Sequence, residues 1–281
     1  MQSVEDIKAK VAKAVEDVRA QNPMVPSITN TVTIEFVANA QLAVGGSAAM
    51  VYLPDEGEAM AAAGKSLYIN MGTLLPVYAE TLPRTARRLC ELKRPWVLDP
   101  VGIGIGGLRS ELLKSFADKR PGIIRGNASE IIALASLWGI GSGQKSTVRG
   151  VDATDSVLQA KEDAKALARH TGGAVAVSGP EDFVTDGETS LLISGGSSFM
   201  PMITGAGCSL GGVMAIYACV ADPFTAAVTG SCIYKFAGKS AHSKCRGPAS
   251  FRTEFIDALY NATSQDVANN PFKLDIFGGK Q

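Results

Sequence analysis

The chain has 281 residues, which is enough for one large α/β domain with a sizeable core, although two small domains are also compatible with this length. Hydrophobic residues make up 46% of the sequence and charged residues 19%, a balance that argues against a disordered chain. The 27 basic and 27 acidic side chains cancel, and no basic stripe is present. We therefore expect no nucleic-acid partner and a local origin for any anion-binding site.

The cysteines and the apolar runs bear on the cellular compartment. The five cysteines form no CxxC pair and are too sparse for a disulfide framework in a chain of this length. The first residues are charged and lack the apolar core of a signal peptide, and no apolar run approaches the ~20 residues of a membrane helix. We therefore expect a protein of the reducing cytoplasm that has no membrane partner.

The first two thirds of the chain predict an α/β fold. Ser3 and Asp6 have the spacing of a capping box that opens a helix, which Pro23 and Pro26 close. Short apolar runs then alternate with helical patterns, which indicates repeated βα units around a mainly parallel sheet. The predicted strands cover residues 24–28, 48–52, 66–69, 95–98, 122–124 and 174–177. The predicted helices cover residues 33–44, 55–63, 76–92, 109–117, 129–137 and 156–170.

The last third of the chain has a different pattern. Residues 183–185 and 189–193 flank Asp186-Gly187, a dipeptide that favours a hairpin with a type I′ turn. Before this region, in the middle of the chain, residues 139–150 are rich in glycine and small polar residues, which predicts a flexible connection or flap. No composition shift marks a second domain, so we predict a single domain over residues 1–281. Three more helices are predicted at residues 208–220, 223–240 and 251–262.

A glycine-rich segment, residues 204–208 (TGAGC), precedes an apolar helix. Its two glycines let the backbone turn tightly, and the amides of residues 205–208 would point unpaired from a helix N-terminus. Such a helix start favours an anion and can hold the charge that develops on a phosphoryl group. The alternative is a glycine-rich helix start made for close packing.

Charged side chains follow two predicted strands. Asp99 comes directly after an apolar strand, where ligands bind in open parallel sheets, so it is placed to hold Mg²⁺ through water; capping of a turn is the alternative. Arg125, a fork-shaped phosphate ligand, precedes Glu130 at a helix start; a surface ion pair and complementation of the helix dipole are the alternatives. All these motifs fall on one side of the predicted sheet, which favours one shared site.

Six segments also occur in a diagnostic order. They are residues 27–39 (SITN with Phe36 and Ala38-Asn39), 46–50 (GSAAM), 70–74 (NMGTL), 98–102 (LDPVG), 125–130 (RGNASE) and 204–208 (TGAGC). In this order and spacing, from about residue 20 to about residue 265, they resemble the hydroxyethylthiazole kinase family of the ribokinase-like superfamily.

The resemblance implies a three-layer αβα ribokinase-like fold. It implies transfer of the γ-phosphate of ATP to the hydroxyl of 4-methyl-5-(2-hydroxyethyl)thiazole, in thiamin biosynthesis or salvage, with Mg²⁺ as cofactor. It also implies a homotrimer with the thiazole site at subunit interfaces. The matching positions imply thiazole binding by Asn30, Met50 and Gly205, ATP binding by Arg125 and Ser178, Mg²⁺ organisation by Asp99 and Glu130, and catalysis by Gly205, Ala206, Gly207 and Cys208.

The sequence departs from the family pattern at several positions. Ser178 replaces a threonine but retains the hydroxyl, and Ala49 replaces a proline. Cys208 stands where many ribokinase relatives have an aspartate base, so it is either a modest base or a small polar side chain that orients the substrate hydroxyl; we favour the second. Gly211 and Gly212 are unusual inside a helix, where each glycine costs about 1 kcal/mol, and close helix packing is the expected reason.

Two alternatives to this function remain. Hydroxymethylpyrimidine and pyridoxal kinases, and the ATP-dependent repair dehydratase for hydrated nicotinamide cofactors, carry Gly-x-Gly-Asp where this chain has Cys208. A non-catalytic thiazole- or nucleotide-binding relative is the second alternative, against which the intact Asp99, Arg125 and Glu130 argue. Release of ADP in the presence of the thiazole alcohol distinguishes a kinase from a binding module.

Overall fold

The computed structural model of the protein describes residues 3–141, 143 and 157–275. Nine strands of the described residues form one sheet. In chain order they are β1 (Met24–Ile28), β2 (Ser47–Met50), β3 (Leu67–Asn70), β4 (Trp96–Asp99), β5 (Ile123–Asn127), β6 (Ala174–Ser178), β7 (Asp182–Thr185), β8 (Ser190–Ile193) and β9 (Phe272–Leu274).

The sheet is parallel over most of its width. Across the sheet the strand order is β2-β1-β3-β4-β5-β6-β7-β8-β9. The pairs from β2 to β6 are parallel, and the pairs from β6 to β9 are antiparallel. The first six strands therefore present their carboxyl ends at one edge of the sheet, which is where ligands bind in such folds.

Helices cover both faces of the sheet. Apolar residues of α1, α2 and α8–α11 form the core on one face, and those of α3–α7 form the core on the other. The predicted three-layer α/β fold with a mainly parallel sheet is thus confirmed. The helices are α1 (Val4–Gln21), α2 (Ile34–Ala43), α3 (Pro54–Ala63), α4 (Tyr78–Glu91), α5 (Gly107–Ser115), α6 (Ala128–Leu137), α7 (Val157–Thr171), α8 (Ala206–Tyr217), α9 (Pro223–His242), α10 (Pro248–Asn261) and α11 (Ser264–Ala268).

Local sequence patterns explain two features of the fold, the start of α1 and the burial of β3 and β4. The capping box predicted at the N-terminus is confirmed, because the Ser3 side chain accepts from the Asp6 N–H while the Asp6 carboxylate accepts from the Ser3 N–H. All four residues of both β3 and β4 are buried, as expected of central parallel strands covered on both faces. These strands therefore provide a rigid base for the side chains at their carboxyl ends.

The hairpin between β7 and β8 differs from the prediction in its turn. Thr185 pairs with Ser190, so the connection contains four residues rather than two. Gly187 has a φ of 95°, whereas Asp186 is not among the residues with positive φ, so the type I′ turn was wrong. Instead, the Asp186 carboxylate accepts from the N–H groups of Glu188 and Thr189, at 2.8 and 2.6 Å, and stabilises a wider turn.

Some predictions concern segments that the structure treats differently. The strand β9 and the short helix α11 were not predicted, because each is too short to show a clear period. Most of the predicted flexible connection at residues 139–150 lies outside the described residues. Within the described ranges, no helix combines the length and the hydropathy needed to cross a membrane.

Candidate active site

Polar side chains meet at the carboxyl edge of the central strands. Asp99 is the last residue of β4, and Ser178 is the last residue of β6. Arg125 lies in β5, the strand between them. Because parallel strands end at the same edge, the sheet brings together three side chains that come from separate sequence motifs.

Asp99 and Arg125 form a buried ion pair at this edge. Arg125 Nη1 lies 3.1 Å from Asp99 Oδ2, and Arg125 Nη2 donates a hydrogen bond of 3.1 Å to Ser178 Oγ. The Asp99 side chain is fully buried, and 9% of the Arg125 side chain is exposed. Removing either partner would leave an uncompensated buried charge, at a cost of about 3–5 kcal/mol. The guanidinium is therefore fixed from two sides.

Glu130 is the second buried acid of the site. It closes a capping box at the start of α6, in which Asn127 and Glu130 each accept from the other's N–H at 2.9 Å. Burial, reinforced by the Asp99 carboxylate, raises the pKa of Glu130 to about 7. The helix-start alternative for Glu130 is thus observed, but the side chain also interacts electrostatically with Asp99. We call Asp99, Arg125 and Glu130 the charged cluster.

Tyr68 and Asn70 of β3 support the charged cluster, although the sequence predicts no role for either side chain. The Tyr68 hydroxyl lies 2.9 Å from Asp99 Oδ2 and 2.6 Å from the Cys208 carbonyl oxygen, with one proton for the two acceptors. Asn70 Nδ2 donates to the Tyr68 hydroxyl at 2.9 Å and to Asp99 Oδ2 at 3.0 Å. The sequence signal for Tyr68 is a tyrosine within an otherwise apolar strand, whereas Asn70 begins the diagnostic segment 70–74, to which no role was attached.

The start of α8 lies next to the charged cluster. Gly205 precedes the helix with a φ of 97°, a left-handed conformation that favours glycine, and a Cβ there would lie 3.0 Å from Phe36 Cδ1. A Cβ at Gly207 would lie 2.8 Å from Arg125 Nη2. The first N–H groups of a helix have no acceptor within it, so those of residues 206–208 begin α8 beside the guanidinium. The glycine-rich turn therefore lies in contact with Arg125, as the sequence motifs predict.

A cavity of 670 Å³ opens beside Arg125, Ser178 and Gly207. Its other walls are the turn between β6 and β7, the loop that follows β8, and the side of α9 that carries Lys235. Ligand cavities of proteins range over about 300–1,000 Å³, so this volume suits a nucleotide. Arg125 provides a positive charge at one end of the cavity, and glycine, serine and proline residues line it further out together with Asp182 and Lys235.

Asn30 and Cys208 are neighbours at the same edge. Asn30 Nδ2 donates to Asn70 Oδ1 at 2.9 Å and lies 3.6 Å from Cys208 Sγ, while Asn30 Oδ1 accepts from two backbone N–H groups that follow it, each at 3.1 Å. Burial and the nearby Asp99 carboxylate raise the pKa of the half-buried Cys208 thiol. A neutral thiol is a weak base, so this environment favours the reading in which Cys208 orients a hydroxyl.

Met50 lies at the open side of the sheet. It ends β2, the edge strand, whose four residues are all half-buried, and it pairs in register with Ser27 of β1. Val32 and Leu53, which follow Asn30 and Met50 in the chain, are 67% and 49% exposed. Met50 does not line the 670 Å³ cavity. The structure therefore gathers the residues expected to bind ATP in one cavity and leaves Met50 at a neighbouring, more exposed edge.

The charged cluster fits a hydrated magnesium ion. Its two acids and one base carry a net charge of −1 when all three are ionised. Asp99 Oδ1 is buried and has no hydrogen-bond partner among the described residues, so it is available to a metal-bound water. Mg²⁺ prefers oxygen ligands and keeps several of its waters. Within the described ranges no group of three or more His, Cys, Asp and Glu side chains is placed to hold a metal ion.

The two unusual glycines of α8 are explained by packing. A Cβ at Gly211 would lie 2.4 Å from the Tyr68 ring, and one at Gly212 would lie 2.9 Å from Val37. The close packing predicted for this pair is therefore confirmed. It lets α8 approach β3 closely enough for the Tyr68 hydroxyl to reach the Cys208 carbonyl.

Comparison with known proteins shows which family the chain resembles. The model of the hydroxyethylthiazole kinase family matches residues 15–265. A hydroxyethylthiazole kinase of Bifidobacterium adolescentis is 51% identical over 273 residues, which cover 93% of each chain.

Solved structures show the same architecture. A hydroxyethylthiazole kinase protein from Pyrococcus horikoshii OT3 is similar to this chain with a TM-score of 0.84 and 27% identity, over 94% of this chain and 98% of that one. A ribokinase-like superfamily protein from Enterococcus faecalis V583 has a TM-score of 0.63 at 11% identity, over 91% of this chain and 94% of that one, and shows the fold alone. The fold is thus ribokinase-like, and the chain belongs to the hydroxyethylthiazole kinase family.

Proposed function

We propose that this protein is a kinase that transfers the γ-phosphate of ATP to the hydroxyl of 4-methyl-5-(2-hydroxyethyl)thiazole, a step of thiamin biosynthesis or salvage. The observation that carries the proposal is the convergence of Arg125, the start of α8 and two buried acids beside one nucleotide-sized cavity. Family membership supports the choice of the thiazole alcohol as the acceptor.

The 670 Å³ cavity is the proposed ATP site. Arg125 and Ser178 line it and contact each other, so both are placed for the phosphates. Arg125 is the stronger ligand because its planar guanidinium forms charge-assisted hydrogen bonds with phosphate oxygens. The loops that form the outer walls would then contact the nucleoside.

Phosphoryl transfer follows from this placement. The substrate hydroxyl attacks the γ-phosphorus in line with the oxygen that bridges the β- and γ-phosphorus atoms; a new P–O bond forms, the bond to that oxygen breaks, and ADP leaves. The hydroxyl proton is released to solvent. Arg125 and the N–H groups of Ala206, Gly207 and Cys208 stabilise the charge on the transferring group, and Gly205 provides the left-handed turn that aims them. Positioning and electrostatics provide most of the acceleration in such a reaction.

Asp99 and Glu130 are the proposed organisers of Mg²⁺ and its waters. The ion would add positive charge next to the β- and γ-phosphates of ATP. The carboxylate oxygens of these two acids and the unpartnered Asp99 Oδ1 support this assignment. Tyr68 and Asn70 hold Asp99 in place through their hydrogen bonds to Oδ2.

The thiazole is proposed to bind beyond Cys208, where Asn30, Met50 and Gly205 lie at the carboxyl ends of β1 and β2 and at the start of α8. Cys208 orients the hydroxyl rather than acting as the main base, because its pKa is raised. Since Met50 lies on a half-exposed edge strand, we further propose that a second subunit covers this edge in a homotrimer. Sedimentation velocity should then give a mass about three times the chain mass of 29.3 kDa.

The whole chain, residues 1–281, is proposed to act as one kinase domain in the reducing cytoplasm, where its five free cysteines would stay reduced.

A coupled assay of ADP release tests the proposed function. The panel of acceptors contains the thiazole alcohol, hydroxymethylpyrimidine and pyridoxal, each with ATP and Mg²⁺. We expect kcat/KM for the thiazole alcohol to exceed that for the other acceptors by at least about 100-fold, because a site built for one substrate leaves polar groups unpaired with another. Binding of the thiazole without ADP release would instead identify a non-catalytic binding protein.

A further inference from the structure

Lys235 of α9 is a buried cation in the wall of the 670 Å³ cavity that the chemistry above does not use. The residue is 4% exposed, and the cavity is lined by it together with Arg125 and Gly207. Lys235 Nζ lies 2.9 Å from Asp182 Oδ1 and donates to the carbonyl oxygens of Gly179 and Pro180, at 2.7 and 3.1 Å. An ammonium group has three hydrogens, so protein acceptors already occupy all of them.

The contacts of the Lys235 side chain close the turn between β6 and β7. This turn begins directly after Ser178, whose hydroxyl accepts from Arg125 Nη2. Asp182 holds the turn from the other side, because its Oδ1 also accepts from the Gly179 N–H at 3.0 Å. A single buried ion pair therefore fixes the first outer wall of the cavity.

The backbone of Lys235 fixes the second outer wall. The Gly196 N–H donates to the Lys235 carbonyl oxygen at 2.8 Å. A Cβ at Gly195 would lie 3.1 Å from Lys235 Cβ, and one at Gly238, a turn further along α9, would lie 3.0 Å from Gly196 Cα. The loop after β8 thus lies directly against α9 at the residue whose side chain reaches the other wall.

We propose that Lys235, paired with Asp182, is a positioning residue whose side chain holds the turn between β6 and β7, beside the loop that its backbone contacts, in the conformation that binds the nucleoside of ATP. This inference rests on the proposed function, since it takes the 670 Å³ cavity as the ATP site. Lys235 is not a phosphate ligand, because its ammonium hydrogens are all committed to the protein. Its effect is preorganisation, which strengthens binding by removing the cost of ordering the walls. ATP binding should therefore depend on Lys235, and thiazole binding should not.

The test replaces the ion pair as a unit, with Lys235→Met and Asp182→Asn in one protein, so that no buried charge is left unpaired. Steady-state kinetics with ATP and thiazole varied separately should show the KM for ATP raised at least about ten-fold and the KM for thiazole changed by less than about twofold. Calorimetric titration with a non-hydrolysable ATP analogue should show the same loss of affinity without any turnover.

The matched control is an ion pair away from the cavity, Lys161 with Asp275, whose atoms lie 2.9 Å apart and whose side chains are 17% and 6% exposed. Lys161→Met with Asp275→Asn should lower the melting temperature by a similar amount and leave both KM values within about twofold. The single variant Lys235→Arg keeps a positive charge beside Asp182 but not the ammonium contacts with both carbonyl oxygens, so it should stay folded and raise the KM for ATP by about threefold even if the double variant misfolds.

Three results would overturn the inference while wild-type turnover upheld the proposed function. These are an unchanged KM for ATP in the folded double variant, an equal rise of both KM values, and an equal loss of ATP affinity in the control pair. Absence of ATP-dependent turnover in the wild-type protein would instead overturn the proposed function.

Discussion

The charged cluster and the sheet edge at Met50 are built in opposite ways. In the charged cluster, Asp99 is fully buried and both Arg125 and Glu130 are less than 10% exposed, with partners that come from the same chain. At the other region, all four residues of β2 are half-buried and the adjacent Val32 is 67% exposed. Under the proposed function, one chain would hold the groups for phosphoryl transfer, whereas a second subunit would complete the site that recognises the alcohol.

The comparison predicts that substitutions in the charged cluster act mainly on kcat and have the largest effects. Arg125→Lys keeps a positive charge beside Asp99 but loses the fork that contacts Ser178. We expect kcat to fall by at least about 1,000-fold, because a stabilising arginine contributes that much to phosphoryl transfer. Arg169→Lys, which loses a contact with the Gly187 carbonyl far from the cluster, should stay within about twofold. More than a tenth of wild-type kcat in Arg125→Lys would contradict this account.

Glu130→Gln tests whether the buried acid is kept for function at the expense of stability. Between the ordinary pKa of 4.5 and about 7, the folded protein binds a proton that the unfolded chain has already released. The free energy of unfolding therefore falls with rising pH in this window, by about 3 kcal/mol, and stays low above it. The variant should melt no lower than the wild type at pH 8, while kcat should fall by at least about 100-fold.

The exposed Glu56 in the first turn of α3 is the control for Glu130. Glu56→Gln should leave kcat and the pH dependence of melting unchanged. If Glu130→Gln melted well below the wild type at pH 8 and retained kcat, the acid would be a helix cap only.

Tyr68→Phe tests how much the rigid support of the charged cluster contributes, because the Tyr68 hydroxyl joins Asp99 of the cluster to the start of α8. We expect kcat to fall about ten-fold, since loss of one supporting hydrogen bond misplaces the reacting groups without removing them. Tyr217→Phe is the control, because Tyr217 is equally buried and its hydroxyl has no partner within the described residues. An equal loss in both variants would mean that Tyr68 only supports the core.

Cys208→Ala should have the smallest effect. The raised pKa of Cys208 makes its thiol a poor base, and positioning supplies most of the rate, so kcat should fall by no more than about ten-fold. The pH dependence of kcat should be unchanged. A fall of about 1,000-fold would show that Cys208 acts as the base.

The sequence predicted that Asp99, Arg125 and Ser178 lie close together because each follows an apolar run. Asp99 and Ser178 end their strands, Arg125 lies two residues before the end of β5, and the parallel pairing of the three strands brings them to one edge. No role was predicted for Tyr68 or Lys235 because each lies inside a largely apolar strand or helix. Only the tertiary packing shows that the polar end of each side chain reaches the site. The predicted type of the hairpin turn was wrong because the Asp-Gly dipeptide does not show the side-chain contacts of Asp186. Its carboxylate accepts from two N–H groups further along and stabilises a wider loop.

A phosphate is proposed to lie in the cavity against both Arg125 and the start of α8, and Gly207→Ala tests this most directly. A Cβ there would lie 2.8 Å from Arg125 Nη2, whereas one at Gly107, in the first turn of α5, would meet nothing within 4 Å. Both variants should fold, because alanine favours a helix over glycine by about 1 kcal/mol. We predict that Gly207→Ala lowers kcat at least about 100-fold and that Gly107→Ala leaves it within about twofold. Equal activity of the two variants would contradict the account.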